Sequence, residues 1–367
     1  MNVFREIILI FILVSSTSLL AASDAGYQLE SVVTGIDLPW GMVWLPDGDM
    51  LVSDRRGTLH RVSNGRVGDP IKGVPDVHVN GQGGLLDLEL HPDYEANGWI
   101  YLTYSEPEGR IFKDSNTTLI RARLEGDSLI EKEVLYQAGP RTGRGQHYGG
   151  RIAFDRDSHL YFSIGDRGNR DENPQDITRD GGKIYRLHDD GRIPVDNPFV
   201  DSHGAKSAIY SYGHRNPQGL AMHPDTGTLW EHEHGPRGGD EINVIKKGEN
   251  YGWPILSYGI NYSGTSFAQG TEREGYHSPA WYWVPSIAPS GMTFVTSNYY
   301  PEWKGHILTG SLKFSYLVLC HVQGESIIKQ DILFNGIGRV RTVKQGPDGY
   351  IYVATEGQGI KRIVQTR

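Results

Sequence analysis

The sequence predicts an all-β protein, a six-bladed β-propeller built from four-stranded antiparallel blades. One supporting observation is composition: the 367 residues include 47 Gly, 20 Tyr and 8 Trp, and only 22% are charged. This balance favours short strands and tight turns over long charged helices. The other is a repeat, because a turn that leads into an apolar strand recurs six times along the chain.

The repeated unit is strand, turn, strand. The turns with the strands that follow them occupy 46–52, 97–102, 157–162, 226–231, 304–309 and 348–353. The strand-like runs that precede them occupy 41–45, 85–90, 151–154, 219–222, 291–295 and 340–343. Their spacing is uneven, and a radial array accommodates this because each blade packs only on its neighbours while its loops vary in length. A pair of β-sandwiches is the alternative, but it would not need the same unit six times.

The two ends of the propeller are predicted to share one blade. Residues 27–33 and 359–364 are both strand-like. Pairing them would close the ring and remove an exposed sheet edge.

The first residues predict a signal peptide over 1–22, with cleavage near Ala22 to Ala25. Arg5 stands in a short polar leader, an apolar run covers 7–14, and small residues follow. A membrane anchor is the alternative, but the run is shorter than the roughly 20 residues of a spanning helix. We therefore expect a single propeller domain over 23–367, exported to the periplasm or secreted, with no membrane span.

Charge and cysteine content narrow the possible partners. The net charge of -8 gives no general attraction to nucleic acid or anionic lipid, so a cationic site would have to be a local cluster. Cys320 is the single cysteine, so the fold must hold without an internal disulfide.

A histidine and an aspartate of the third unit are candidate catalytic residues. His147 lies in a glycine-rich loop before one strand, and Asp166 follows the next strand. Both positions fall at the same end of a hairpin, so Asp166 is expected to orient His147 as a general base. The alternative is an ordinary turn histidine beside a loop carboxylate.

Two further stretches are candidate ligand loops. Arg215 and Asn216 precede a strand of the fourth unit, and the segment 231–243 holds His232 and His234 before a Gly-Pro turn. The histidines favour zinc. The exposed carbonyls and the carboxylates of this segment favour calcium equally, and the residues alone leave both open.

A cluster of cations is predicted at one mouth of the ring. Lys313 stands beside a strand of the fifth unit. Arg339 and Arg341 are two positions apart beside a strand of the sixth, so their side chains should point the same way. With Arg215 they would suit a small polyanion. Ordinary surface salt bridges are the alternative.

Taken in order, these motifs resemble the soluble glucose and aldose sugar dehydrogenases that depend on pyrroloquinoline quinone (PQQ), the glucose/sorbosone dehydrogenase family. The resemblance covers nearly the whole mature chain. It rests on the motifs at 81–86, 147–151, 163–166, 213–219, 234–236, 239–243 and 250–254, and on Lys313.

The resemblance implies a role for each residue of the site. His147 would be the general base and Asp166 its orienting partner. Cofactor-binding residues would be Gln82, Arg215, Asn216, Tyr262, Lys313, Arg339 and Arg341. The carbonyls of Gly235 and Pro236 would bind a calcium that touches the quinone, and a second calcium would lie near Glu241 and Tyr251.

The resemblance also implies a reaction. His147 would take the proton of the anomeric hydroxyl of an aldose sugar while hydride passes to the calcium-bound quinone, giving a lactone. An external electron acceptor would then reoxidise the cofactor, and the protein would be a monomer or a homodimer. Gln146 stands where the best-known glucose-oxidising members have Asp, and the chain is shorter than theirs, so we expect an open mouth of broad specificity.

Two other functions remain as alternatives. A calcium-dependent propeller lactonase would use His147 to activate water, but it has no need of cations arranged for a tricarboxylate. A non-catalytic binding propeller would present a smooth apolar or aromatic face rather than a buried base.

Overall fold

The computed structural model describes residues 26–109 and 114–366 and contains six four-stranded antiparallel sheets. The first three blades take their strands in chain order. These strands are β2 (Pro39–Trp44), β3 (Met50–Asp54), β4 (Thr58–Ser63), β5 (Arg66–Pro70), β6 (Leu85–Leu90), β7 (Trp99–Glu108), β8 (Asp114–Glu125), β9 (Ser128–Gln137), β10 (Ile152–Phe154), β11 (Leu160–Ile164), β12 (Lys183–Leu187) and β13 (Ile209–Tyr212). The predicted fold class is confirmed. The predicted signal peptide lies outside the described residues.

Blades four and five follow the same order, and the sixth blade combines both ends of the described chain. The strands are β14 (Pro217–Met222), β15 (Leu229–Glu233), β16 (Asp240–Ile245), β17 (Trp281–Trp283), β18 (Pro289–Phe294), β19 (Ile307–Ser311), β20 (Leu317–Gln323), β21 (Ser326–Leu333), β22 (Val340–Gln345), β23 (Ile351–Thr355), β24 (Gly359–Gln365) and β1 (Tyr27–Val33). β1 pairs with β24, Tyr27 opposite Gln365, so the predicted closure of the ring is confirmed.

The core is divided among the six interfaces between blades. Successive side chains of the second strand in a blade point to opposite faces, so one strand contributes to the interfaces with both neighbouring blades. In β3, Leu51 packs towards the second blade while Val52 packs towards the sixth. In β23, Val353 packs towards the fifth blade and Tyr352 towards the first. Because both faces of these strands are buried, they have continuous apolar runs instead of an alternating pattern.

The first strand of each blade lines a central channel, and each of these strands contacts the first strand of the next blade around the ring. Helix is limited to one turn, α1 (Tyr94–Asn97), in the described chain. Within the same residues, no helix has the length and apolar character needed to cross a bilayer.

Arg151 crosses the central channel. Its guanidinium lies 4.0 Å from the ring of Trp40 and donates to the carbonyl oxygens of Gln218 (2.8 Å) and Arg341 (2.9 Å). Trp40 lines the cavity at one end of the channel, whereas Arg151 lines the smaller cavity at the other. The side chain therefore separates the two ends and links first strands from several blades.

Candidate active site

One mouth of the propeller holds a cavity of about 1160 Å³. Several of its wall residues precede the first strand of a blade or follow the second, as Gln82 precedes β6 and Lys313 follows β19, while Tyr262 comes from the long loop between β16 and β17. In an antiparallel hairpin those two positions lie at the same end. The topology thus brings loops that are far apart in sequence to one mouth.

The predicted pair of His147 and Asp166 lies beside this cavity. His147 Nδ1 is 2.6 Å from Asp166 Oδ1, and the other carboxylate oxygen accepts a bond from Trp253 Nε1 at 2.8 Å. The Gly168 amide also donates to Asp166 Oδ1, at 2.7 Å. His147 itself is 8% exposed, and the cavity lining reaches its neighbours Gln82 and Tyr148. Asp166 Oδ1, itself fixed by these two donors, is the acceptor that orients the imidazole.

Glycine allows the two loops to meet. A Cβ at Gly165 would stand 2.5 Å from the His147 carbonyl oxygen, closer than real contacts allow. His147 has a φ of 56°, in the left-handed region. Its amide donates to Gln82 Oε1 at 2.8 Å, which supports this backbone conformation.

The environment keeps His147 neutral and Asp166 ionised. Burial lowers the pKa of His147, and the positive charge of Arg215 lowers it further, against the opposite effect of Asp166. For Asp166, burial favours the acid form, but His147, Arg215 and the Gly168 amide outweigh it and lower the pKa. A carboxylate can only accept, so Nδ1 carries the imidazole proton and Nε2 keeps its lone pair.

Three of the four predicted cations, Lys313, Arg339 and Arg341, line the cavity, whereas Arg215 does not. Arg339 and Arg341 point the same way, and both bind Glu356, at 2.9 Å and 2.7 Å. Lys313 is exposed and lies 4.9 Å from the Phe314 ring, without an ion pair among the described residues. Of the residues that the structure describes, five cationic side chains and one carboxylate, that of Glu356, line the cavity; the cations are Arg55, Arg237, Lys313, Arg339 and Arg341.

Arg215 and Asn216 lie deeper than the other predicted cofactor residues. Arg215 donates to the carbonyl oxygens of His234 (2.8 Å) and Gly235 (2.7 Å) and does not line the large cavity. Asn216 accepts the Gly149 amide at 3.3 Å, while its own Nδ2 is buried and has no partner among the described residues. Tyr262, 74% exposed, stands on the cavity wall.

The zinc interpretation of His232 and His234 is not supported by their contacts. His232 Nε2 lies 3.1 Å from the Gly291 carbonyl oxygen, and His234 Nε2 lies 2.7 Å from that of Pro289. A carbonyl accepts, so each ring donates at that nitrogen.

Beneath them, buried acids form a candidate metal centre. Ligand atoms of His214, Glu231 and Glu233 lie within 4.8 Å of one another. A small void of about 10 Å³ beside them is lined by Glu233, Glu241 and Tyr251. Burial and the neighbouring carboxylates raise the pKa of Glu231 and Glu233, and burial raises that of Glu241 to about 8.

Sequence reasoning missed several residues of the site. Arg55 follows β3 and Glu356 follows β23, the same place in the repeat that Asp166 and Lys313 occupy after β11 and β19. The repeat itself was therefore the signal. Glu231 and Glu233 lie in the segment 231–243, where the sequence pointed to His232 and His234 as candidate metal ligands.

A buried His–Asp pair beside a cationic cavity, at one mouth of a β-propeller, is the arrangement of an enzyme active site. Residues 36–364 match the glucose/sorbosone dehydrogenase family. The chain is 40% identical over 353 residues to the aldose sugar dehydrogenase YliI of Escherichia coli, covering 94% of each protein. The chain belongs to the glucose/sorbosone dehydrogenase family.

Solved structures agree with this membership. The apo-form of the soluble aldose sugar dehydrogenase from Escherichia coli superposes with a TM-score of 0.87 and 38% identity, over 93% of this chain and 99% of that one. The PQQ-bound form of the aldose sugar dehydrogenase from Streptomyces coelicolor superposes with a TM-score of 0.75 and 30% identity, over 93% and 99%.

Proposed function

We propose that this chain oxidises the anomeric carbon of aldose sugars to lactones with PQQ and calcium, and that His147 is the general base. The observation that carries the proposal is the combination of a neutral, oriented imidazole with a strongly cationic cavity. The names of the relatives support the same substrate class and cofactor.

The residues of the cavity fit PQQ. A tricarboxylate carries more negative charge than Arg339 and Arg341 can balance, because Glu356 already neutralises part of their positive charge. Lys313, Arg55 and Arg237 supply the rest. Charge-assisted bonds to Arg and Lys are the strong ones for carboxylates. Gln82 and Tyr262 complete the wall, and the buried Nδ2 of Asn216 offers a donor close behind it.

The residues also fit calcium. Glu231 Oε1 and Asn243 Oδ1 are buried oxygens without partners among the described atoms. A hard cation binds such oxygens and would hold the buried carboxylates ionised. Glu241 and Tyr251 remain the proposed ligands of a second calcium, and Gly235 and Pro236 of the first, although Arg215 binds the Gly235 carbonyl here.

The chain's own part in the reaction is to hold the sugar and move one proton. His147 Nε2 accepts the proton of the anomeric hydroxyl, and Asp166 stabilises the imidazolium that results. When bound, PQQ supplies the hydride acceptor and calcium a Lewis acid. Tyr148 and Trp40 supply aromatic surface to the cavity wall.

Reconstitution tests this function. We expect the purified protein to reduce an acceptor dye with aldoses only when both PQQ and calcium are added. The absorbance of bound PQQ should be bleached by the sugar. No cofactor binding and no turnover would overturn the proposal and favour a lactonase, which the same preparation would reveal by hydrolysing an aldonolactone.

The substitution Lys313→Met is expected to weaken PQQ binding about 10- to 100-fold, because a hydrogen bond to a charged group contributes about 1.5–3 kcal/mol. Isothermal titration calorimetry at several salt concentrations measures this change. Lys329→Met is the matched control, since Lys329 is exposed on β21 and binds Asp331. Equal affinities for the wild type and Lys313→Met would remove Lys313 from the cofactor site.

Calcium is expected to stabilise the fold. At free calcium about 100-fold above its Kd, binding adds about 2.7 kcal/mol to the free energy of unfolding. Thermal unfolding with calcium and with a chelator measures the difference. Glu241→Gln should abolish most of it, whereas Glu302→Gln, on the surface, should not. A chelator without effect on the wild type would contradict a structural calcium.

A further inference from the structure

Arg167 is a buried cation that the proposed reaction does not use. It directly follows Asp166, and its side chain is 1% exposed. It makes no ion pair among the described residues, since its guanidinium donates to the carbonyl oxygens of Gln146, Arg144 (2.7 Å) and Ser115 (3.2 Å). Burying a guanidinium without a carboxylate is costly, so these backbone bonds must offset that cost.

Two of the three carbonyls belong to the loop that carries His147. Gln146 directly precedes His147 in the chain, and Arg144 lies two residues before Gln146. A planar fork of donors fixes the direction of the peptides it binds, which a single-point ammonium does not.

Arg167 also holds the residue after His147. Its guanidinium carbon lies 3.4 Å from the centre of the Tyr148 ring, a cation–π contact. The Tyr148 hydroxyl binds Ser115 Oγ at 2.7 Å, beside the Ser115 carbonyl that Arg167 reaches. The side chain therefore contacts both neighbours of His147.

His147 needs such support because its own backbone conformation is unfavourable. A φ of 56° in a residue other than glycine costs free energy that the surroundings must supply. Gln82 secures the amide of His147, and Asp166 secures its ring.

We infer that Arg167 is a positioning residue, which holds the Gln146 carbonyl before His147 and the Tyr148 ring after it, and so keeps Nε2 directed towards the substrate. This inference rests on the proposed function. Its structural part, the clamp on His147, concerns the protein without cofactor or sugar.

The charge of Arg167 gives the clamp a second signature. The charged groups that act on His147 are Arg215, Asp166 and Arg167, and both arginines disfavour the imidazolium. Removing Arg167 should therefore raise the pKa of His147. Because the base must be unprotonated, the acid limb of the pH–rate profile should move to higher pH.

The test compares two substitutions of Arg167. Arg167→Met removes both the planar set of guanidinium donors and the positive charge, whereas Arg167→Lys keeps only the charge. We expect kcat to fall about 10²-fold in Arg167→Met, as for a base displaced by about 1 Å, with KM and the Kd for PQQ unchanged. Arg167→Lys should lose kcat while keeping the pH profile of the wild type. NMR titration of His147 in the apoprotein, assigned with His147→Gln, measures its pKa without turnover.

Arg186→Met is the matched control, because Arg186 is a buried arginine of the same blade that pairs with Asp196 at 3.0 Å. It should lose stability without a change in kcat or in the pKa of His147. An unchanged kcat in Arg167→Lys, or an unchanged pKa of His147 in Arg167→Met, would overturn the inference. If Arg167→Met does not fold, Arg167→Lys alone decides through kcat. If the wild type oxidises no sugar, the proposed function fails, and the NMR titration still shows whether the charge of Arg167 acts on His147.

Discussion

His147→Ala is expected to lower kcat for sugar oxidation by about 10²- to 10⁴-fold, the usual contribution of a positioned general base. The Kd for PQQ should stay at the wild-type value, since the cations of the cavity come from other loops. Asp166 would keep its bonds from Trp253 and Gly168, so the loop should remain folded. Dye-reduction kinetics and calorimetric titration with PQQ measure the two quantities.

The control for this substitution is His60→Ala. His60 lies on β4, where its ring binds the Gly68 carbonyl oxygen at 3.0 Å. It is not part of the cavity wall. It should keep full activity. A kcat for His147→Ala within about tenfold of the wild type would rule out His147 as the base, because general-base catalysis contributes more than that.

Arg151→Met is expected to lower the free energy of unfolding by about 3–5 kcal/mol, the cost of removing one partner of a buried ion pair. Arg151 Nη1 lies 3.4 Å from Asp87 Oδ1 and 2.9 Å from Thr342 Oγ1. The substitution would leave these acceptors in the channel without their donor. Thermal and urea unfolding measure the loss.

Arg123→Met is the comparison for this prediction. Arg123 also lies over a Trp ring, that of Trp99 at 4.5 Å, but its partner is the exposed Glu131. A surface pair contributes about 0–1 kcal/mol, so the loss should be small. The double variant Arg151→Met with Asp87→Leu should lose less than the sum of the single losses. Equal losses for Arg151→Met and Arg123→Met would show that the channel arginine has no special role.

The fold was predictable because the strands buried on both faces carry continuous apolar runs. Leu51 and Val52 serve different interfaces, yet each must be apolar. The outer strands carry no such constraint. β5 (Arg66–Pro70) is mostly exposed and includes glycine and proline, so only its pairing with β4 identifies it as a strand.

The candidate site was predictable where a residue's place in the repeat determines its location. His147 and Asp166 meet because both loops end at one mouth. The direction of Arg215 was not predictable, because it depends on carbonyls of another loop, those of His234 and Gly235. Arg167 likewise acquires its role only through tertiary contacts with Gln146 and Tyr148.

The shared sixth blade also sets an order of events during synthesis. β1 is made before the other strands that the structure describes, whereas its partner β24 follows all of them. Five blades can form from contiguous segments before β1 has a partner, and the ring closes only once β24 has been made. A chain truncated before β24 would therefore leave the edges of β1 and β23 unpaired, so closure of the ring depends on strands from both ends of the propeller.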